Sequence, residues 1–168
     1  MKTYCLTLFF FISVSLQAQT INGHDTAAVK TIDGTINEVL KIVSGEKGVK
    51  RNWEAFRFLF TPNAQITVLR HEENNVNVPV TYSLEEFVRL GMRFYENDGF
   101  IEYELSKTIN EYNGIAHAFQ SYYAKELEIE EQGINSYQLV HDGKRWWIVS
   151  LLWTNNRNGV PLPEEYKK

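Results

Sequence analysis

Two dipeptides in the second half of the chain place the strongest constraint on its fold. Asn113-Gly114 and Asp142-Gly143 each separate two long segments rich in β-branched and aromatic residues. A two-residue type I′ turn needs positive φ at both positions, and Asn-Gly and Asp-Gly adopt it most readily. We therefore predict a meander of four long antiparallel strands. The strands cover about residues 99–111, 114–127, 132–141 and 144–154.

The two turns also predict which residues lie opposite one another. With Asn113-Gly114 as the loop, Asn110 pairs with His117. With Asp142-Gly143 as the loop, the pairs are Leu139 with Trp146, Tyr137 with Ile148, and Asn135 with Ser150. One face of this hairpin then carries Asn135, Tyr137, Trp146 and Ser150, and the other carries Trp147, Val149, Leu151 and Trp153.

The last strand, residues 146–153, is apolar on both of its faces. A sheet with one solvated face would alternate between apolar and polar residues, so both faces should be covered. Helices can cover only one of them, and a second copy of the chain is the simplest cover for the other. We therefore predict a homodimer through the face that carries Trp147, Val149, Leu151 and Trp153, since leaving this face in water would expose a large apolar patch.

The first half of the chain is mainly helical, which gives an α+β fold class. Apolar residues at helical spacing predict a first helix over 25–43. A short aromatic helix over 53–60 follows, and two strands over 64–70 and 76–82 come next. Ser83 and Glu86 form a capping-box pattern that starts the third helix.

The N-terminal residues 1–18 have the pattern of a secretory signal peptide. Lys2 precedes an apolar run, and small residues follow it near Ala18. We predict that residues 19–168 form one domain that is periplasmic or secreted. The one cysteine, Cys5, lies in the predicted signal peptide, so the mature chain would have no disulfide or thiolate.

The charge of the chain argues against two kinds of partner. The net charge is −4, and it becomes −5 when Lys2, the one charged residue of 1–18, is removed. No basic stripe is present, so we expect no nucleic-acid binding. No second long apolar segment exists, so we expect no membrane association after removal of the signal peptide.

Three segments resemble the nuclear transport factor 2-like superfamily, which includes the SnoaL-like and ketosteroid isomerase-like proteins. Residues 51–64, RNWEAFRFLFTPNA, resemble its second helix entering its first strand, and residues 133–139 and 142–149 resemble one bacterial branch of unassigned activity. The resemblance implies a cone-shaped α+β barrel, with a curved, mainly antiparallel sheet wrapped around three N-terminal-half helices. It also implies a deep pocket in the cone and frequent homodimers. Members of the superfamily include isomerases, dehydratases, hydrolases and non-enzymatic binding domains, so the fold does not define a reaction.

The matched positions do not support the best-known enzymes of that superfamily. The general-base Asp of ketosteroid isomerase lies four positions after the Ala that opens the first strand. Here that Ala is Ala64 and the matching residue is Val68, which cannot accept a proton. An Asp/Arg/Asp arrangement of the epoxide hydrolase type cannot be placed either.

Histidine and acidic residues give few candidates for chemistry. The four histidines lack metal-ligand spacing, so we expect no metal site and no cofactor. His117 is an outside candidate for a general base, but the predicted register puts it on the more polar face, which favours a structural or interface role. Glu102, Glu104 and the acidic run 126–131 are interpreted as a solvated edge.

A mixed set of residues is predicted to line a ligand pocket in the cone. The set is Trp53, Phe56, Arg57, Phe60, Tyr103, Tyr122, Asn135, Tyr137, Trp146 and Ser150. The aromatic members could equally be plain core. Arg57 needs a partner if buried, either a carboxylate or an anionic ligand, and Asn135 and Ser150 could bind a ligand or each other.

Three functions remain open on this pattern. The first is an exported protein that binds a small, largely apolar molecule. The second is a small isomerase, dehydratase or hydrolase that acts in the cone, and the third is a protein-interaction module. A titratable group held beside an apolar cavity would favour the enzyme, and a sealed core would favour the interaction module.

Overall fold

The structure is a computed structural model that describes residues 20–21, 23–73 and 76–167, the side chains of 20 and 21 excepted. The predicted signal peptide, residues 1–18, lies outside these ranges. In chain order the described elements are β1 (Thr20–Ile21), β2 (His24–Asp25), α1 (Ile32–Val43), α2 (Trp53–Leu59), β3 (Phe60–Glu72), β4 (Val76–Ser83), α3 (Leu84–Asp98), β5 (Ile101–Tyr112), β6 (Ile115–Glu126), β7 (Ile129–His141) and β8 (Trp146–Asn155). Short 3₁₀ helices span Ala28–Lys30 and Glu164–Tyr166.

Six of these strands form one open sheet in the order β4-β3-β8-β7-β6-β5. All neighbours are antiparallel except β3 and β8, which run parallel. The three helices pack on one face of the sheet and share a core with it, in which Ile36, Phe56 and Val88 are fully buried. The predicted α+β cone with a mainly antiparallel sheet is confirmed, and the sheet is open rather than closed into a barrel.

The helix starts follow the capping residues in the sequence. Asn52 accepts a hydrogen bond from the backbone of Ala55 at the start of α2. Ser83 and Glu86 form the complete capping box at the start of α3. Helix α1 begins seven residues later than predicted, because Thr31 caps it and the 3₁₀ turn Ala28–Lys30 precedes it.

The first hairpin turn is as predicted. Asn113 and Gly114 have φ values of 48° and 83°, which a type I′ turn requires. Asn110 lies opposite His117, and Tyr112 lies opposite Ile115.

The second hairpin has a different register from the predicted one. Its turn contains four residues, because the Asp142 carboxylate accepts hydrogen bonds from the backbone N–H groups of Lys144 and Arg145. His141 therefore lies opposite Trp146, and the pairing is shifted by two residues.

A one-residue bulge in β8 shifts the register again. Leu139 pairs with Ile148 and Gln138 pairs with Ser150, so Val149 is the extra residue. Beyond the bulge, Tyr137 lies opposite Leu151 and Asn135 lies opposite Trp153, which corrects the predicted partners Ile148 and Ser150. A single inserted residue exchanges the two faces of the rest of a strand.

The predicted dimer face is therefore not one continuous surface. Leu151 is 6% exposed and belongs to the core, and the ring of Trp153 lies 6.0 Å from that of Phe87 on α3. Trp147 lies on the outer face as predicted, and the Val149 bulge places Leu152 on that face as well. The homodimer itself stays a prediction.

The chain covers part of the outer face with its own C-terminal segment, residues 156–167. The Ser121 hydroxyl donates to the carbonyl of Tyr166 at 2.6 Å, and the Tyr166 ring packs edge-on against Phe119 at 5.5 Å. Leu162 is buried in the same segment. Among the residues described, no helix is long and apolar enough to cross a membrane.

Candidate functional site

A cavity of about 410 Å³ lies between the three helices and the inner face of the sheet. Its wall is mixed. Apolar side chains come from α1 (Val39 and Val43), α2 and α3 (Phe56 and Phe87), and β3 and β8 (Val68, Leu151 and Trp153), and the end of β3 adds the polar residues Arg70, His71 and Glu72. A cavity of this size is typical of small-molecule sites.

The carboxyl group of Glu102 borders this cavity. A bulge at Leu105, between the pairs Glu104–Tyr122 and Ser106–Ser121, turns Glu102 and Glu104 inward. The Ser44 hydroxyl bonds to both the N–H and the carbonyl of Glu102, at 2.9 and 3.0 Å, and so ties the start of β5 to the end of α1. The position of the carboxyl group is therefore fixed by two elements.

Glu102 has no cation beside it in the part of the chain that the structure describes. Its carboxyl oxygen accepts a hydrogen bond from Asn135 Nδ2 at 2.8 Å. Burial raises the pKa of Glu102 to about 7, a shift that the Asn135 hydrogen bond opposes and the neighbouring Glu131 increases. Near neutral pH, Glu102 can therefore both accept and donate a proton.

Tyr137 is a further polar residue among those that line the cavity. Its side chain is 0% exposed, and its hydroxyl has no hydrogen-bond partner among the described residues. Burial, together with the Glu102 and Glu104 carboxyl groups, raises the pKa of Tyr137 well above its usual value, so the hydroxyl stays protonated. An unpaired buried hydroxyl is costly, and a bound ligand is one way to satisfy it.

A different part of the wall carries a carboxylate that is paired. Glu131 forms an ion pair with Arg157 and accepts from Asn155 Nδ2 at 3.0 Å, and the Tyr122 hydroxyl lies 3.5 Å away. Arg157 also lies 3.7 Å from Glu126. Arg157 thus neutralises the Glu131 carboxylate, whereas no cation among the described residues pairs with Glu102.

Four of the ten predicted ligand-binding residues line the cavity: Phe56, Tyr122, Asn135 and Tyr137. Three others lie in the core outside the cavity lining. Trp53, Phe60 and Trp146 are 5%, 1% and 6% exposed, and the indole N–H of Trp53 donates to Glu96 at 3.0 Å. The core reading of these aromatic residues therefore fits their positions.

The other three predicted residues lie away from the cavity. Arg57 is at the surface, where it bonds both oxygens of Glu85 at 2.8 and 2.9 Å. The Leu105 bulge turns Tyr103 outward, and its ring stacks on Tyr123 at 4.9 Å. The Val149 bulge likewise places Ser150 opposite Gln138 instead of Asn135.

His117 lies on the outer face of the sheet. Its Nε2 is 3.0 Å from the Ser136 hydroxyl, and its ring is 6.0 Å from that of Phe119. This position fits the structural or interface role and separates His117 from the cavity.

The interpretation of the acidic residues as a solvated edge is wrong for four of them. Glu102, Glu126 and Glu131 line the cavity, and Glu104, which is 31% exposed, forms an ion pair with the buried Lys107 at 2.8 Å. Glu131 shares its strand parity with Asn135 and Tyr137, so the correct reading of β7 could have found it. Glu102 could not be found in this way, because the Leu105 bulge leaves no clear signal in the sequence.

The described residues that line the cavity do not include the general-base Asp of ketosteroid isomerase. Val68 lines the cavity, so the position of the isomerase base is apolar here, as the sequence indicated. In the described ranges, no group of three or more His, Cys, Asp or Glu side chains is arranged to hold a metal ion.

The arrangement of helices, open sheet and internal cavity is the nuclear transport factor 2-like fold, and solved structures share it. One is a nuclear transport factor 2-like protein of unknown function from Pseudomonas putida KT2440, with a TM-score of 0.58 and 12% identity over 87% of this chain and 95% of that one. No family model matches the chain, and no curated protein matches it.

Two further similar structures carry names that refer to enzymes. A "putative scytalone dehydratase" from Novosphingobium aromaticivorans DSM 12444 has a TM-score of 0.56 and 9% identity, over 74% of this chain and 80% of that one. A "putative ketosteroid isomerase" from Parabacteroides distasonis ATCC 8503 has a TM-score of 0.52 and 11% identity, over 77% and 92%. At these identities the likeness shows the fold alone.

Proposed function

We propose that the protein binds a small, largely apolar and uncharged molecule in its cone, and that Glu102 exchanges a proton with it. The observation that carries the proposal is the Glu102 carboxyl group on the cavity wall, which has a raised pKa and no cation partner among the described residues. Perturbed carboxyl groups in such surroundings are typical of general acids and bases.

The chemistry that fits this group is proton transfer at a carbon next to a carbonyl. The Glu102 carboxylate would take the proton from that carbon, and the electrons of the C–H bond would pass to the carbonyl oxygen to give an enolate. Return of the proton to another carbon gives an isomerisation, and loss of a β-hydroxyl group as water gives a dehydration. Both outcomes need only one acid–base group.

Tyr137 would supply the hydrogen bond to the developing enolate oxygen. Its hydroxyl is buried, protonated and without a partner among the described residues, so binding a carbonyl oxygen would satisfy it. A fixed donor of this kind stabilises negative charge that forms during the reaction.

The charges on the cavity wall favour an uncharged ligand over an anion. Among the described residues, Glu72, Glu102, Glu126 and Glu131 contribute carboxyl groups, and these outnumber the two arginines. Arg157 is paired with Glu126 and Glu131, and Arg70 donates to the Tyr82 hydroxyl. An anionic ligand would meet like charge in a site of low dielectric constant.

The other two functions are less well supported. A cavity is present, which argues against the sealed core expected of a pure interaction module. A binding protein that catalyses no reaction would hold its ligand against the same cavity wall. The Tyr137 hydroxyl, which has no partner among the described residues, supports binding whether or not a reaction follows. The names of two similar structures, an isomerase and a dehydratase, are compatible with proton transfer.

Deuterium exchange tests the proposal. The purified protein is incubated in D₂O near neutral pH with a panel of uncharged cyclic ketones, and deuterium incorporation beside the carbonyl is followed by NMR. We expect exchange with at least one compound. Glu102→Gln should lower that rate by about 10²-fold or more, and Tyr137→Phe should lower it by about 10²-fold.

Tyr112→Phe is the matched control for Tyr137→Phe, because Tyr112 is 80% exposed at the end of β5. Exchange that survives in Glu102→Gln would show that another group moves the proton. Binding of panel compounds by native mass spectrometry without exchange would favour the binding protein.

A further inference from the structure

We infer that Gln120 is a positioning residue for the site: it holds the Asn135 amide so that its NH₂ group, and not its carbonyl, faces Glu102. The catalytic meaning of this role rests on the proposed function of Glu102. The hydrogen-bond chain from which the role is inferred does not depend on that proposed function.

A chain of hydrogen bonds leads from Gln120 to the cavity. Asn135 Nδ2 lies 2.8 Å from a carboxyl oxygen of Glu102 and 3.3 Å from Gln120 Oε1. One NH₂ group therefore bridges the carboxyl group and the Gln120 carbonyl, using both of its hydrogens.

The other end of the Gln120 amide is fixed by charge. Gln120 Nε2 donates to Glu104 Oε2 at 2.6 Å, and the same oxygen lies 2.8 Å from Lys107 Nζ. Lys107 also pairs with Asp33 at 2.7 Å. Burial acts to lower the pKa of Lys107, but its hydrogen bonds to Asp33 and Glu104 outweigh this and raise the pKa, so the ammonium group stays charged.

These charges give the whole chain one direction. An ammonium group can only donate and an ionised carboxylate can only accept. Gln120 must therefore turn its NH₂ group to Glu104 and its carbonyl to Asn135, which in turn must point its NH₂ group at Gln120 and Glu102. With an apolar residue at position 120, the Asn135 amide would be free to rotate and to offer its carbonyl to Glu102.

Gln120 is a fully buried amide among mostly small side chains. It is 0% exposed, and its inward-facing neighbours on β6 are Ala116, Ala118, Tyr122 and Ala124. A buried amide is costly unless its hydrogen bonds are made. The NH₂ group of Gln120 donates to Glu104, and its carbonyl accepts from Asn135.

The direction of the amide matters for the carboxyl group. A hydrogen bond donated to a carboxylate favours the charged form and lowers its pKa, whereas a carbonyl in the same place favours the protonated form. The other titratable groups facing Glu102 are Tyr95 from α3, Tyr122 from β6, and Glu131 and Tyr137 from β7. Burial raises the pKa of each tyrosine, so the three hydroxyl groups stay neutral. The effect of Glu131 on the pKa of Glu102 should be the same in the wild type and in a variant at Gln120.

The test is a titration of the Glu102 carboxyl carbon by NMR in the ligand-free protein, with Gln120→Met as the variant. We expect the apparent pKa of Glu102 to rise by about one unit. Gln138→Met is the matched control, because Gln138 lies exposed on the outer face of β7, and it should leave the pKa unchanged.

A double-variant comparison shows whether Gln120 acts through Asn135. In an Asn135→Leu background, Gln120→Met should cause no further rise, because the amide that it orients is gone. An unchanged pKa in the single variant, or an equal rise in the Asn135→Leu background, would overturn the inference.

A second variant keeps the test decisive if Gln120→Met does not fold. Glu104→Met removes the acceptor that fixes the Gln120 NH₂ group, so the Gln120 amide can turn around, while Lys107 keeps its partner Asp33. A smaller rise in the Glu102 pKa is expected, and no rise would contradict the inference. Failure of the wild-type protein in deuterium exchange would count against the proposed function alone, because the titration uses no ligand.

Discussion

The Glu102 carboxyl group couples the stability of the protein to pH. Its pKa is about 7 in the folded protein and 4.5 in the unfolded chain. Between these values the folded state binds more protons than the unfolded state, so the free energy of unfolding falls as pH rises. The destabilisation caused by Glu102 is absent below about pH 4.5, where the carboxyl group is protonated in both states. It reaches its full size above about pH 7.

Glu102→Gln should remove this dependence. Glutamine cannot ionise and can still accept the Asn135 hydrogen bond, so we expect the variant to be more stable than the wild type at pH 8 by about 3 kcal/mol. At pH 4 the two proteins should have the same free energy of unfolding. Urea denaturation at both pH values measures the difference.

Glu128→Gln is the matched control, since Glu128 is exposed in the turn between β6 and β7. It should behave as the wild type at both pH values. Equal stability of Glu102→Gln and the wild type at pH 8 would show that the carboxyl group is better solvated than its position indicates.

At the level of elements, the sequence predicts the secondary structure well and the faces of two strands poorly. Ser83, Asn52 and Asn113-Gly114 act through local rules, and the structure confirms each of them. The bulges at Leu105 and Val149 depend on how distant strands fit together, so local rules do not reveal them. Each bulge reverses the parity of its strand beyond that point, which is why Tyr103 and Ser150 were placed inward and Glu102 outward.

Helix α3 packs closely on α2 through Gly91. A Cβ atom at this position would lie 2.5 Å from the ring of Trp53, which is 5% exposed and held by its hydrogen bond to Glu96. Alanine favours an α-helix over glycine by about 1 kcal/mol. The clash should outweigh this gain, because overpacking a core costs about 1–3 kcal/mol.

We therefore expect Gly91→Ala to lower the free energy of unfolding by about 1 kcal/mol. In a Trp53→Phe background, where the ring is smaller, the same substitution should be neutral or stabilising. Urea denaturation of the four proteins gives the coupling. A stabilising effect of Gly91→Ala in the wild-type background would show that the two helices can move apart.

At the level of the whole molecule, the fold could be predicted and the chemistry of the cavity could not. Apolar periodicity and hairpin turns predict helices on one face of an antiparallel sheet, and the resemblance supplies the cone. The first hairpin also gives the correct parity for β6, on which Gln120 is an inward amide among alanines. Its partners Glu104 and Lys107 lie on either side of a bulge, so their meeting depends on the assembled sheet.

The outer face of the sheet is only partly covered by the C-terminal segment. Leu152 is 47% exposed on this face, and Trp147, five residues earlier on β8, is half-buried. We propose that a second copy of the chain covers the remainder, because apolar side chains in the centre of a sheet gain free energy on burial. With Leu151 and Trp153 turned inward, Leu152 becomes the residue through which the homodimer can be tested.

Sedimentation equilibrium of residues 19–168 at micromolar concentration should therefore show a dimer. Leu152→Glu should give a monomer, because a carboxylate buried in an apolar interface would lose its hydration without a partner. Val49→Glu is the matched control: Val49 is 50% exposed in the loop between α1 and α2, and its substitution should leave the dimer intact. A monomeric wild type would contradict the dimer, and a dimeric Leu152→Glu would place the interface on another surface.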